Sequence, residues 1–115
     1  LPEEMAEIRA FAEEIVGDGA AVLPSCEFFL ELLPVGVSKE NALQRVCELT
    51  GRTIQNCAAA GDYENDIGMV RMAGIGAAPK NALASVKEAA NFVLAPCEED
   101  AIAELIDILE ERYIK

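Results

Sequence analysis

The stretch that decides the fold is residues 58–66, which read Ala58-Ala59-Ala60-Gly61-Asp62-Tyr63-Glu64-Asn65-Asp66. The run from Cys57 to Ala60 carries only small apolar side chains, so we expect a strand buried on both faces, as in a parallel sheet. Ligands of open α/β sheets bind just beyond the carboxyl ends of such strands. Asp62 and Asp66 therefore predict a cation site, because Mg²⁺ is bound by one or two carboxylates together with waters. The alternative is an acidic loop that caps a helix starting near Ile67.

Two further segments flank this stretch. They read Gly36-Val37-Ser38-Lys39-Glu40-Asn41-Ala42-Leu43 upstream and Ala73-Gly74-Ile75-Gly76-Ala77-Ala78-Pro79-Lys80-Asn81-Ala82 downstream. The upstream segment predicts a helix capped by Ser38, with Gly51 in the left-handed position after its end. The downstream pair of glycines lacks the third glycine of a dinucleotide fingerprint and indicates close strand packing. Asn81 fits a helix N-cap better than a substrate contact.

Taken in this order, the three segments resemble the C-terminal half of haloacid dehalogenase-like (HAD) phosphatases. Within that superfamily they are most similar to the Cof-type sugar-phosphate phosphatases, which carry an inserted α/β cap. The resemblance covers roughly residues 18–110. It implies an α/β fold in which residues 36–115 form the C-terminal half of a Rossmann-like three-layer core with parallel strands. Residues 1–35 would then be the end of the cap, a helix followed by an antiparallel strand pair.

The resemblance also implies a role for each residue on a motif position. Asp62 would bind Mg²⁺ directly, while Asp66 would bind the metal through water or orient Asp62 and Lys39. Lys39 would act as a catalytic and substrate-binding cation beside the phosphoryl oxygens, and Asn65 would contact the substrate through its amide. The implied reaction is hydrolysis of a small phosphorylated metabolite through a phospho-aspartyl intermediate, with the metal bridging aspartate and phosphate oxygens. Glu40 stands where a glycine commonly follows the motif lysine, and its charge is expected to weaken anion attraction.

One family motif is absent from the sequence. HAD phosphatases attack the phosphate with an aspartate of an Asp-x-Asp-Gly motif, and no acidic residue upstream of Lys39 lies in such a pair. We therefore expect a fragment holding half an active site, inactive alone, whose partner is the missing N-terminal half. The alternative is a non-catalytic truncated domain that binds a cation. In either case the strand from Cys57 to Ala60 would lack its neighbour, and we expect self-association through that open edge.

Composition excludes several other classes of protein. With 115 residues the chain holds at most one domain of ordinary size, and 52% hydrophobic residues are enough for a core. With 9 basic against 21 acidic side chains, its formal net charge of −12 argues against binding to nucleic acids or anionic membranes. The sequence contains no apolar run near the ~20 residues of a membrane span.

The four cysteines show no metal-binding spacing, and the chain contains no histidine. Cys47 is expected on the apolar face of the Lys39 helix and Cys57 in the strand before Gly61. We predict that all four are reduced thiols, which fits a cytoplasmic protein.

The remaining pattern predicts helices alternating with strands after residue 38, hence a parallel sheet. The final helix is expected to turn Ile102, Leu105, Ile106 and Leu109 inward. The predicted helices are Glu3–Val16, Ser38–Leu49, Ile67–Met72, Asn81–Ala90 and Glu98–Tyr113, and the other predicted strands are Ala20–Leu23, Phe28–Leu33, Gly74–Ala78 and Phe92–Ala95.

Overall fold

The computed structural model describes residues 2–114 and contains two separate sheets, one antiparallel and one parallel. Leu1 and Lys115, the outer ends of the two predicted domain ranges, lie outside the described residues. No helix within residues 2–114 has the length and apolar character needed to cross a membrane. The predicted mixed α/β class with a parallel sheet is confirmed.

The first sheet is the predicted antiparallel pair. Helix α1 (Met5–Val16) leads through a short turn into strand β1 (Ala20–Pro24), which pairs with strand β2 (Leu30–Pro34). The register places Ala20 opposite Pro34 and Pro24 opposite Leu30. The predicted first helix forms, but its Ile8, Phe11 and Ile15 side chains are exposed.

Helix α2 (Lys39–Thr50) begins and ends as the sequence predicts. The Ser38 hydroxyl accepts a hydrogen bond from the Asn41 backbone N–H at 3.2 Å, which satisfies one of the free donors of the first turn. Gly51 follows the helix with φ of +65°, a conformation that glycine adopts without steric cost. Lys39 is therefore fixed as the first residue of a well-capped helix.

The second sheet is parallel and has the order β3, β4, β5, formed by Ala58–Ala60, Ile75–Pro79 and Phe92–Leu94. Its register pairs Ala60 with Ala77 and Pro79 with Leu94. The prediction that Cys57 to Ala60 is buried on both faces is wrong, because Ala59 is buried whereas Ala58 is exposed. The physical reason is that, within residues 2–114, β3 pairs only with β4 and forms an edge of the sheet.

Helices cover both faces of this sheet and give three layers. On one face, α3 (Ile67–Met72) and α4 (Ala84–Ala89) build a core around four residues, and on the other face α5 (Ala101–Arg112) builds a second core. The first core contains Val70, Ala78, Ala82 and Val86, and the second contains Ala77, Leu94, Ala101 and Leu105.

The inward face of α5 differs from the prediction. Leu105 is buried and Leu109 packs against the core, but Ile102 is 57% and Ile106 is 49% exposed. Two apolar stripes overlap on this helix, and the structure uses the one that includes Ala101 and Ile108. The small Ala101 side chain allows the start of the helix to approach the sheet closely, which turns Ile102 outward.

The connection after β4 also corrects a prediction. Helix α4 begins at Ala84, so Asn81 does not cap it. The Asn81 Oδ1 instead accepts a hydrogen bond from the Cys97 backbone N–H at 3.0 Å, which ties this loop to the segment after β5. The close packing predicted for the glycine pair is confirmed, since a Cβ on Gly74 would lie 1.9 Å from the Gln55 carbonyl oxygen and one on Gly76 would lie 2.2 Å from that of Val70.

Candidate functional site

A cavity of about 580 Å³ opens at the carboxyl ends of the three parallel strands. This is where open α/β sheets bind their ligands. Lys39, Asp62 and Asp66, three of the four predicted site residues, line it together. The cavity is also lined by Ala60, Gly61, Met69, Pro79, Leu94, Cys97, Asp100, Ala101, Ile102 and Ala103.

Asp66 is the buried centre of this group, with only 5% of the residue exposed. Its Oδ1 accepts from the Lys39 ammonium at 2.5 Å. Its Oδ2 accepts from the backbone N–H of Asp62 at 3.0 Å and from that of Tyr63 at 3.4 Å. Both carboxylate oxygens are therefore engaged by the protein itself, and Asp66 fixes the position of Lys39 relative to the loop at residues 61–66.

Gly61 allows this loop to close around Asp66. Its N–H donates to the Ala77 carbonyl at 3.2 Å, which continues the β3–β4 ladder by one bond. A Cβ at this position would lie 2.2 Å from the Asp66 Cβ, far inside van der Waals contact. The glycine in the motif is thus required by close approach, since its φ is not in the left-handed region.

Asp62 presents its carboxylate to the cavity. Its backbone is held on both sides, because its N–H donates to Asp66 and its carbonyl accepts from the Leu83 N–H at 3.0 Å. Its side chain makes no hydrogen bond or ion pair with any residue in 2–114, and the residue is exposed. The backbone of Asp62 is therefore fixed by hydrogen bonds, while its carboxylate oxygens are free. The Lys39 side chain, which is 47% exposed, places a positive charge at the same cavity.

Asn65 differs from the other three predicted residues. It lies in the short helical turn Glu64–Asp66 and does not line the cavity within the described part of the chain. Its Oδ1 is buried and has no hydrogen-bond partner among residues 2–114. A buried acceptor without a partner costs free energy. Its predicted contact with substrate stays a prediction.

The donor chemistry is compatible with Mg²⁺ but incomplete. A free carboxylate at the edge of a polar cavity is the ligand that this cation prefers, and Mg²⁺ fills its remaining positions with waters and phosphate oxygens. No cluster of three or more acidic or cysteine side chains occurs in residues 2–114 that could enclose a metal by itself. Asp62 fits a direct ligand, and the engaged oxygens of Asp66 fit the orienting role, one of the two that the resemblance implies for it.

A link between α1 and the loop was not predicted from the sequence. The Arg9 guanidinium donates to Glu64 at 3.0 Å through Nη1 and to Glu13 at 3.0 Å through Nε, and these two hydrogen bonds raise the pKa of Arg9. Residues 9 and 64 are 55 positions apart in the sequence, so helical spacing gives no signal for the pair. The same loop contains Tyr63, whose pKa is raised chiefly by burial and further by the charge of Glu27.

A second unpredicted feature is Asp100, which lines the cavity after β5. It has φ of +59° and is the one residue other than glycine in the described chain with a left-handed backbone. The sequence hardly indicates a role for Asp100, because acidic residues are common at the N-terminus of a helix. Asp100 adds a third carboxylate to the cavity wall.

A family model described as haloacid dehalogenase-like hydrolase matches residues 2–106. The chain is 40% identical to the 5-amino-6-(5-phospho-D-ribitylamino)uracil phosphatase YcsE of Bacillus subtilis over 77 residues. This segment is 67% of the present chain and 31% of that protein. The match is specific in sequence over the segment that it covers.

Solved structures share the fold. A haloacid dehalogenase-like hydrolase from Bacteroides thetaiotaomicron is 31% identical, with a TM-score of 0.77 over 94% of this chain and 41% of its own. A subclass IIB sugar phosphatase is 27% identical, with a TM-score of 0.77 over 85% of this chain and 38% of its own. The chain spans less than two fifths of the length of three curated relatives that it matches.

Proposed function

Because this chain belongs to the haloacid dehalogenase-like hydrolase family, we propose that it supplies one half of the active site of a Cof-type phosphatase. The relatives support phosphate-ester hydrolysis in general. The proposed substrates are small phosphate esters of the sugar-phosphate kind, in line with the similar subclass IIB enzyme. The observation that carries the proposal is the group formed by Lys39, Asp62 and Asp66 at the carboxyl ends of a parallel sheet.

The charges on the cavity wall indicate what this half-site lacks. Within residues 2–114 the wall carries one lysine against three aspartates, a formal charge of −2. A phosphate monoester is itself an anion and would be repelled by that wall at short range. Productive binding therefore requires an added cation. We assign that place to Mg²⁺ beside Asp62, where it would neutralise phosphoryl oxygens and the charge that develops during transfer.

Lys39 and Asp66 have separate tasks in this proposal. The ammonium of Lys39 stabilises negative charge on the phosphoryl oxygens, and its position at the cavity mouth leaves it accessible to them. Asp66 holds that ammonium and the backbone of Asp62 in a fixed relation, so neither group needs to reorganise when the substrate binds. Asn65 offers its amide as a further substrate contact.

The nucleophile is proposed to come from a part of the protein beyond these 115 residues. In this view residues 36–115 are the C-terminal half of the catalytic core, and residues 1–35 are the end of the cap. The carboxylate nucleophile would form the phospho-aspartyl intermediate, and the 115-residue chain alone would not turn over substrate. The four free cysteines support a cytoplasmic location.

The second candidate function is a non-catalytic domain that binds a cation and self-associates. It is favoured by two observations, namely the free Asp62 carboxylate and the edge position of β3 in the described sheet. Both candidates predict metal binding at Asp62, so metal binding alone does not separate them. Turnover by the complete protein does.

The test uses the polypeptide encoded by the complete reading frame. We expect it to hydrolyse p-nitrophenyl phosphate with Mg²⁺, and we expect Asp62→Asn and Lys39→Ala each to lower kcat/KM by about 10²- to 10³-fold, as for other electrostatic groups. Asp107→Asn and Lys80→Ala are matched controls at exposed positions and should leave kcat/KM unchanged. A reading frame without an Asp-x-Asp-Gly strand, or variants as active as wild type, would refute the proposal. Turnover by the 115-residue chain, abolished by Asp62→Ala, would refute its predicted inactivity.

A further inference from the structure

Two of the four cysteines lie against each other outside the cavity. Cys47 is in the last part of α2, and Cys57 directly precedes β3; their Sγ atoms are 3.2 Å apart. Cys47 is 1% exposed, whereas Cys57 is half-buried. From the sequence both are expected to be reduced thiols, because a spacing of ten residues matches no cysteine motif.

The hydrogen bonds around this pair assign different properties to its two sulfurs. The Cys57 thiol lies 3.5 Å from the Thr53 carbonyl, to which it can donate, and either thiol can be the donor in the hydrogen bond between the two sulfurs. The hydrogen bond with Cys57 raises the pKa of Cys47, and burial adds to the rise. Cys47 is shielded from solvent, so the half-buried Cys57 is the sulfur that a reagent reaches first.

A metal does not explain the pair, since no third acidic or cysteine ligand joins the two sulfurs within residues 2–114. The short distance between the two sulfurs favours a disulfide. An S–S bond is about 2.05 Å long, so the two sulfurs need to approach by about 1 Å. Both ends are positioned by ordered structure, α2 on one side and the short turn Ile54–Asn56 on the other.

We propose that Cys47 and Cys57 form an oxidation site that a low-molecular-weight disulfide, such as oxidised glutathione, converts into an intramolecular disulfide. Cys57 loses its proton, attacks one sulfur of oxidised glutathione, and releases the first glutathione thiol, which takes up that proton. The Cys47 sulfur then attacks Cys57 in the mixed disulfide and releases the second glutathione thiol, which takes up the proton of Cys47. The protein loses two hydrogens, and one oxidised glutathione becomes two reduced molecules.

The bond has a defined place relative to the cavity. Helix α2 begins at Lys39, and β3 leads through Gly61 to Asp62. The disulfide would therefore link the helix that carries Lys39 to the strand that precedes Asp62. It closes a short loop, residues 47–57, and restricts the unfolded chain. We therefore expect the oxidised chain to keep its fold and to unfold at a higher temperature, by a few degrees.

The test is oxidation of the reduced 115-residue chain with oxidised glutathione in native buffer, followed by intact mass measurement and tryptic mapping without reductant. Cleavage after Arg45, Arg52 and Arg71 places the two cysteines in separate peptides, 46–52 and 53–71. We expect a loss of two hydrogens without a retained glutathione, and a link between these two peptides. Cys57→Ser should abolish the link, and the double variant Cys26→Ser, Cys97→Ser should retain it.

A parallel reaction in concentrated guanidinium chloride separates the fold from mere closeness in sequence. In the unfolded chain all four cysteines compete, and the share of the 46–52 to 53–71 link should fall, although this pair still closes the shortest loop. An equal share of this link in both solvents, or glutathione adducts on Cys26 and Cys97 with Cys47 and Cys57 left free, would overturn the proposal. Far-UV circular dichroism of the reduced chain confirms that the native reaction is made on folded protein.

Discussion

Replacement of Asp66 by alanine tests whether this residue holds the loop at residues 61–66 in place. The substitution removes the acceptor of two backbone N–H groups, those of Asp62 and Tyr63, and the partner of the Lys39 ammonium. A buried donor left without an acceptor costs about 1–3 kcal/mol. The lower end applies here, because Asp62 is exposed and Tyr63 only half-buried, so water reaches both.

The lost ion pair adds little to that cost. Lys39 is half-exposed and regains water when Asp66 is removed, so its contribution approaches that of a surface pair, about 0–1 kcal/mol. Together these terms give a destabilisation of about 2–3 kcal/mol. Asp66→Asn keeps one carbonyl oxygen for the backbone donors, but its NH2 group replaces the oxygen that accepts from the Lys39 ammonium. We expect it to cost about 1 kcal/mol.

The assay is equilibrium urea unfolding of the 115-residue chain, followed by circular dichroism, with wild type, both Asp66 variants and the exposed control Asp107→Ala. A lower midpoint at an unchanged m-value reports a true loss of stability. If Asp66→Ala unfolds within about 0.5 kcal/mol of wild type and of the control, these hydrogen bonds do not hold the loop, and the positioning role argued for Asp66 fails.

Two further predictions concern alkaline pH and self-association. The pKa of Tyr63 is raised in the folded chain, so the unfolded chain loses the phenol proton first as the pH rises through about 10, and stability that is present at lower pH is lost above that pH. Tyr63→Phe should therefore lose less thermal stability than wild type between pH 9 and 11. The same pH dependence in wild type and variant would refute this prediction. The edge strand β3 should pair with β3 of a second copy of the chain, so light scattering should show a dimer or a larger assembly. Ala58→Lys should lower the assembled fraction. A clean 12.3 kDa monomer of the wild-type chain at micromolar concentration would refute self-association.

Much of the fold follows from local signals in the sequence. Ser38 and Gly51 mark the two ends of α2 because capping chemistry is local, and both positions match the structure. Periodicity is less decisive where two stripes overlap, as in α5, because the choice between Ala101 and Ile102 depends on how closely the helix approaches the sheet. The partner of Asn81 is a backbone group 16 residues away, which no local pattern contains.

The candidate site also contains features that the sequence predicts and features that depend on tertiary packing. The resemblance carried by the three motif segments implies that Lys39, Asp62 and Asp66 meet, and the structure brings them to one cavity. The contact between Arg9 and Glu64 and the approach of Cys47 to Cys57 depend instead on how whole elements pack. Asp100 enters the cavity wall because its left-handed backbone turns the chain into α5 at that point.

The position of Glu40 changes one expectation about substrate attraction. Its carboxylate lies over the first turn of α3, so close that a Cβ on Gly68 would be 2.5–2.7 Å from the carboxylate atoms. The N-terminal turn of a helix carries free N–H groups and favours negative charge, although α3 is short and the effect is small. Glu40 does not line the cavity in the described chain, and its charge is directed toward that turn. The acidic residue beside Lys39 therefore opposes anion binding less than its place in the sequence suggests, and Gly68 leaves the space that makes this arrangement fit.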